Sequence, residues 1–421
     1  MVSTVVLDET EEQTAFRARA REWLAVNAPR RAERSLDDDD DHGATATGDD
    51  ADVVGRAKDF QARLFDAGLA GITWPRDYGG QGLTTREQLI FAQEAQGYEL
   101  PTAIYAIGHG MCGPTVLTHG TDAQKDRYIR PMLRGEEVWS QLFSEPGAGS
   151  DVASLQARAV RDGDEWILNG QKVWTSGAHY SEYGIVIART DPDQPKHRGI
   201  TMFILDMHAE GVTVKPLRQM TGGANFNEVF FDDVRIPADQ LLGEVNEGWR
   251  CAITTLMNER VAIGAGGAGG RAGGSQFLIR EARRRGLDSD PVVRQRLVDV
   301  FIRERVLGFV GKRITQAVLS GKVPGPEGSI AKLAGAELAR LSSELGLAIA
   351  GPAGLAWAPD DQRGARFSTM VCSFPASAIA GGTNEVMRNI IGERVLGLPK
   401  EPQVDRDLPF RDLKVGTQSS P

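Results

Sequence analysis

Several things are scarce in this chain, and each scarcity closes off a class. Only three cysteines occur in 421 residues, Cys112, Cys251 and Cys372. They are far apart and show no Cys-x-x-Cys or Cys/His spacing, which argues against a disulfide framework or a zinc site and leaves them as core or helix residues. No stretch approaches the roughly 18 consecutive apolar residues of a membrane span. The first residues carry Asp8, Glu9, Glu11 and Glu12 rather than the basic start and apolar core of a signal peptide. No basic face stands out, so nothing invites nucleic acid. The expectation is a soluble cytoplasmic protein with no metal, no membrane span and no nucleic-acid partner.

The formal net charge of −9 is concentrated in one place. Asp37, Asp38, Asp39, Asp40 and Asp41, with Asp49, Asp50 and Asp52, supply nearly all of it and leave the rest of the chain close to neutral. A run of like charges beside Gly, Ala and Thr repels itself, so residues 36–52 read as a mobile, solvated acidic loop. A metal loop would alternate its ligands, as calcium loops do, and this run does not.

A chain of this length exceeds one ordinary core. Apolar residues recur at helical spacing over 11–27, where Phe16, Ala20, Trp23 and Leu24 form a stripe, and again over 53–67 and 89–96, with weaker helices to about 133. After Trp139 the period changes to short β-branched or aromatic runs. Asn169-Gly170, between Trp166 and Trp174, reads as a hairpin turn. Further strands are expected over 183–189, 201–207, 212–217 and 227–236, too close together for crossover helices, hence an antiparallel barrel or sandwich. Long helical segments return over 250–264, 292–320, 330–350 and 383–396 and suggest a four-helix bundle. The fold class expected is α+β, mostly helical, with an N-terminal helical domain (1–138), a central β domain (139–242), a C-terminal bundle (243–400) and a polar tail (401–421).

Two motifs about two dozen residues apart carry the chemistry. In FSEPGAGSD (143–151) small residues let a ligand approach the backbone, and Ser144 and Ser150 add hydroxyls. In NGQKVWTSG (169–177) Trp174 and Ser176 can lie against a ring system. Together they form a cradle for a flat anionic cofactor such as a flavin; separately, one reads as a plain turn and the other as a core Trp. GAGGAGG (264–270) lacks a preceding strand and a following Lys-Ser or Lys-Thr, so it reads as a Gly-rich helix segment and not a phosphate loop. On a helix, Ala252, Leu256, Glu259 and Ile263 share one face, placing a carboxylate on an apolar stripe, where burial raises its pKa and suits it to act as a base. The alternative is an ordinary half-exposed Glu259 paired with Arg260 or another cation. Thr383 is an N-cap candidate at a helix start, which collects N–H groups.

GITWPRDYGGQG, FSEPGAGSD, NGQKVWTSG, FNEVFFDDVRIP, NEGW, NER and GGTNEVMRNIIGERVLG, in that order from about residue 10 to 400, resemble the acyl-CoA dehydrogenase family. The resemblance implies FAD between the β domain and the bundle, an acyl-CoA substrate, a homotetramer or dimer, and an electron-transferring flavoprotein as acceptor. It places Phe143, Ser144, Trp174 and Ser176 at the flavin, Gly149 and Ser150 by the ring and thioester, Thr383 and Glu385 toward the dinucleotide, and Arg260 beside the substrate. Many members carry the catalytic Glu just before the Gly-Thr of the last motif, where this chain has Gly381. A smaller branch, resembling isovaleryl- and long-chain-acyl-CoA dehydrogenases, carries it before an Arg on the bundle's first helix, where Glu259 stands. Two departures remain: REARRRGLDSD (280–290) replaces the family's RxxFG, leaving Arg284, Arg285 or Arg294 as substitutes, and AIAGPAG (348–354) replaces QxxGGxG. These leave open a structural or half-site subunit of a heteromer, and an oxidase or flavin monooxygenase on the same fold. Small residues over 264–274 and 108–113 leave room for a branched or bulky acyl group.

Overall fold

The computed structural model describes residues 8–31, 50–265, 274–321, 325–356, 362–403 and 406–413, with the side chains of 50, 260–265 and 362–363 outside that set. Among the described residues five helices come first: α1 (Glu11–Asn27), α2 (Asp50–Asp66), α3 (Thr85–Ala95), α4 (Gly113–His119) and α5 (Asp122–Arg134). Three of them open on Thr-x-x-Gln or Thr-x-x-Glu capping boxes, Thr10/Gln13, Thr84/Glu87 and Thr121/Gln124, in which side chains and backbone N–H groups satisfy each other. A π-helical turn, Gly108–Cys112, leads into α4. Asp50 and Asp52, read as part of the acidic loop, belong instead to the first turn of α2. The acidic run 37–41 and Asp49 lie outside the described residues.

Eight strands follow: β1 (Trp139–Leu142), β2 (Arg158–Asp162), β3 (Glu165–Ser176), β4 (Tyr183–Arg189), β5 (Ile200–Asp206), β6 (Val212–Leu217), β7 (Phe226–Pro237) and β8 (Leu241–Leu242). Their order is β6-β7-β3-β2-β4-β5-β8, with β1 added on β4. Most pairings are antiparallel, but β1 runs parallel to β4, and β2 meets β4 in parallel at a single pair, Arg158↔Arg189. The parallel pairing needs a long crossover, and the β2–β3 hairpin between β1 and β4 supplies one. The two halves of the sheet face each other over a shared core that includes Leu168, Val229 and Phe231 from one side and Val186, Phe203 and Leu205 from the other.

β4 and β5 are buried on both faces. Val186, Ala188, Phe203 and Leu205 point into the sheet core, while Ile185, Ile187, Met202 and Ile204 point outward into a second cluster with helical residues. That explains why both strands read as continuous apolar runs rather than alternating ones.

The Asn-Gly pair is not a hairpin turn. β3 runs through it, Asn169 pairing with Arg158 of β2 and Gly170 with Phe231 of β7, and the β3–β7 register slips between Leu168 and Gly170. The actual turn is Gly163-Asp164, where Gly163 takes φ 63°. Gly170 is a bulge residue with φ 138°, and a Cβ there would sit 2.7 Å from Ala157 Cα.

The C-terminal helices are α6 (Gly248–Ala265), α7 (Ser275–Arg284), α8 (Pro291–Leu319), α9 (Gly328–Ala350), α10 (Gln362–Ile379) and α11 (Asn384–Ile390). α9 is central and packs against the other five. Residues 266–273, most of the Gly-rich run, lie outside the described residues. Part of the stretch read as a polar tail is docked: Phe410 is buried against the β4–β5 connection. No helix among the described residues is long and apolar enough to cross a membrane.

Gly170→Ala is expected to lower stability by about 2 kcal/mol or more, because the strained φ and the backbone contact act together. Thermal unfolding compared with an exposed control such as Gly163→Ala, which has φ strain but open space, separates the steric part.

Candidate active site

One apolar cluster draws on all three parts of the chain. It joins Cys112, Val116 and Tyr128 from the N-terminal helices with Ala148, Val152, Ala153 and Leu155 from the Gly-rich loop, Ile185 and Met202 from the sheet, and Cys251 and Ala252 from α6, with Leu256 packed against it. The FSEPGAGSD loop and the inner face of α6 therefore border the same interior.

The loop is tightly held. Glu145 and Ala148 exchange backbone hydrogen bonds of 3.1 and 3.0 Å, closing a turn around Pro146 and Gly147, and Ser144 O accepts from Val173 N at 2.9 Å. Beneath it, Lys172 of β3 is fully buried and donates to Glu145 Oε1 at 2.8 Å and to Phe143 O at 3.0 Å. The same carboxylate accepts from Gln156 N at 2.7 Å and Ala157 N at 2.9 Å. Burial pulls the Lys172 ammonium below its usual range, and Glu145 opposes that shift. Both residues lie inside the motifs already singled out, and their opposite charges in two segments expected to touch were the available signal.

The loop's upper surface is open. A Cβ at Gly147 or Gly149 would meet nothing within 4 Å. Gly149 and Ser150 are exposed, Ser144 and Ser176 are half-buried, and Phe143 is buried. Trp174 is 60% exposed, so it is not the core residue that a strand Trp usually is. It takes φ 60°, where the β3–β7 register slips between Lys172 and Thr175, and it meets Phe226 edge to face at 5.9 Å. A bulky residue held in the left-handed region is strain that the surroundings must impose, and such strain gathers at functional sites. Two bare glycines, an exposed indole and two accessible hydroxyls fit a flat, phosphate-bearing group such as FAD.

α6 is locked to α4 by two side-chain bridges. Thr255 Oγ1 and Thr115 Oγ1, both fully buried, lie 2.9 Å apart, and His119 Nε2 lies 2.8 Å from Thr254 Oγ1. Burial lowers the His119 pKa, which favours the neutral ring. Glu259 stands one helical turn beyond Thr255 on the same side and is half-buried. The side chain of Arg260 lies outside the described residues.

The remaining candidates lie among the C-terminal helices. Thr383 caps α11 by accepting from Val386 N at 3.2 Å, and Glu385 is exposed and faces Arg388 at 3.4 Å; α11 packs on α9. Of the three arginines considered as phosphate partners, Arg284 and Arg285 turn inward to the buried Glu281, at 2.6 and 3.7 Å, and Arg285 also donates to Ala350 O. Arg294 is exposed and donates to Asp288 O at 3.1 Å. Among the described residues no cluster of three or more His, Cys, Asp or Glu is placed to hold a metal.

Removing one member of a buried ion pair strands the other, so Lys172→Met is expected to cost about 3–5 kcal/mol. The double change with Glu145→Leu should recover part of that, short of wild type because Gln156 N and Ala157 N lose their acceptor. Urea unfolding of the three variants checks it. At Asp151, burial pushes the pKa up, but hydrogen bonds from Ser154 and Lys196 outweigh it and hold it below the usual 3.8. Its stabilisation is thus present above that value and lost as pH falls through the lower folded pKa. The stability gap between wild type and Asp151→Asn should close between about pH 4 and pH 2, and a gap that widens on acidification would contradict the assignment.

Comparison with known proteins supplies the family. Profiles described as the acyl-CoA dehydrogenase N-terminal, middle and C-terminal domains match residues 10–136, 140–234 and 246–396. The chain is 36% identical over 92% of its length, and 98% of the relative's, to "Acyl-CoA dehydrogenase IpdE1" of Mycobacterium tuberculosis. It is 39% identical over 81% of its length to "Acyl-CoA dehydrogenase FadE34" of the same organism, but spans only 46% of that protein. The solved structure "Tcur3481-Tcur3483 steroid ACAD" superposes with a TM-score of 0.75 at 29% identity, covering 94% of this chain and all of that one. On this evidence the chain belongs to the acyl-CoA dehydrogenase family, a family of flavin-dependent oxidoreductases.

Proposed function

We propose that the chain catalyses α,β-dehydrogenation of an acyl-CoA thioester with FAD as cofactor and Glu259 as base. The observation that supports it most is the single cluster shared by Ala148 of the Gly-rich loop and by Cys251, Ala252 and Leu256 of α6, the helix that carries Glu259. Bound FAD supplies the acceptor for the hydride that leaves the β-carbon. Glu259 takes the α-proton on a carboxylate oxygen. That proton is weakly acidic, so the base must be kept from water and the thioester carbonyl must receive hydrogen bonds as enolate charge develops. Apolar Ala252 and Leu256 flank the base on the same helical face, and closure by substrate completes the desolvation of a side chain that is half-buried in the free chain. Ser144, Trp174 and Ser176, with Phe143 O fixed by Lys172, would hold the ring system. Gly149 and Ser150 would contact the ring and thioester, Arg260 the substrate, and Thr383 and Glu385 the dinucleotide.

A bulky acyl group is the substrate class we favour, because a solved relative is named as a steroid enzyme; the small residues at 108–113 do not supply the room, since a Cβ at Gly113 would lie 2.0 Å from Trp74 and one at Gly108 3.5 Å from Trp139. A heteromeric assembly is the second reading. It is favoured by Arg284 and Arg285 turning inward to Glu281 where the family places a phosphate contact, and by that relative's paired name. An electron-transferring flavoprotein is proposed as acceptor.

Glu259→Gln should still bind flavin but lose bleaching of its visible absorbance on anaerobic addition of acyl-CoA, with the reduction rate falling about 10³-fold. Reduction at the wild-type rate would remove Glu259 from the mechanism. Wild-type protein that retains no flavin absorbance after incubation with FAD and removal of the free cofactor, alone and with a co-purified partner, would remove the cofactor assignment.

A further inference from the structure

We propose that residues 406–413 are a strap that holds the Gly147–Asp151 loop in position, acting through Phe410 and Arg189; the functional part of this proposal rests on the reading of that loop as the flavin and thioester contact. The strap lies along the connection between β4 and β5. Phe410 N donates to Gln194 O at 2.9 Å and Arg411 N to Pro192 O at 3.1 Å, Pro409 bridges Pro195, and Arg411 Nη1 pairs with Asp193 Oδ1 at 2.7 Å. Residues 406–408 turn into Pro409 (φ −55°, ψ 140°), which opens a 3-10 turn, Phe410–Asp412, in which Phe410 is buried.

Phe410 covers a cation that has lost its water. The Arg189 guanidinium is buried and its carbon lies 3.7 Å from the centre of the Phe410 ring. Burial pushes its pKa down to about 10, opposed by the charges of Glu145 and Asp191, so it stays charged near neutrality. Its hydrogen bonds run in two directions, from Nη1 to Lys196 O and from Nη2 to Ala153 O, both at 2.7 Å. Arg189 Nε has no hydrogen-bond partner among the described residues, so the ring face is a substantial share of what replaces solvent. Lys196, the residue whose carbonyl Arg189 holds, in turn reaches Asp151 Oδ2 at 2.9 Å. The chain of contacts therefore runs from Phe410 to Arg189 to Ala153, and from the same connection through Lys196 to Asp151. Both ends fall at the C-terminal end of the Gly-rich loop. Phe410 touches neither cofactor nor substrate and is a positioning residue.

The test is amide hydrogen exchange on the full chain without added flavin, read by mass spectrometry for segments covering 143–157 and 406–413. Phe410→Ala should raise exchange at 153–157 about tenfold while leaving α1 and α3 at wild-type rates, and Phe410→Trp should restore protection. Arg411→Ala, which loosens the strap without uncovering Arg189 directly, should produce a smaller rise of the same sign and serves if Phe410→Ala does not fold. In parallel, FAD titrated onto the flavin-free Phe410→Ala protein should bind about tenfold more weakly than to wild type. Unchanged protection at 153–157 in both variants, with 406–413 itself exchanging faster, would overturn the strap. Wild-type protein that binds no FAD but shows the exchange pattern would sink the cofactor reading and leave the strap standing.

Discussion

A charged lysine with no access to water sits beneath the Gly-rich loop, and the geometry of the site depends on how it is compensated. Among the described residues Lys172 hydrogen-bonds to Glu145 and to the Phe143 carbonyl, while Glu145 also collects two backbone N–H groups from the far end of its own loop. An ion pair in so dry a place gives little net stability compared with apolar residues of the same size. What it does provide is a fixed arrangement. Either charge without the other is costly, so the loop cannot lift away from β3 without paying that penalty in full.

Bracing by charge frees the upper surface from packing duties. Gly147 and Gly149 need no side chains to hold their turn, because the hold comes from below, and their bare backbone stays open to a ligand. Trp174 follows the same logic two residues along from Lys172. With Lys172 pointing inward and β7 pulled out of register, the chain is forced through a positive φ that turns the indole outward. The strain and the exposure share one cause.

The other wall of the site is set by helix docking. α6 is fastened to α4 by a buried Thr pair and by a His–Thr contact, one turn before Glu259. Neither contact involves the carboxylate itself, yet both fix the height and rotation of the helix that carries it. Thus the cradle is positioned from within the sheet, and the proposed base from the N-terminal helices.

Local pattern was enough for much of this. Amphipathic spacing marked α1, α8 and α9 to within a residue or two, because a helix that buries one face must repeat its apolar residues every turn, and the motif order by itself pointed to the family. Composition also showed that the acidity belongs to one segment. Other features depended on contacts distant in sequence. Asn169-Gly170 has ideal turn chemistry, but pairing of Asn169 with β2 and of Gly170 with β7 overrides it and converts the glycine into a bulge. Arg284 and Arg285 have the charge a phosphate needs, but the buried Glu281 beside them takes both. Lys172, Glu145, Arg189 and Phe410 are unremarkable as letters, since each acquires its role only when the fold removes its water and supplies a partner from elsewhere in the chain. Periodicity is a local property and can be read locally; desolvation and charge compensation belong to the folded molecule.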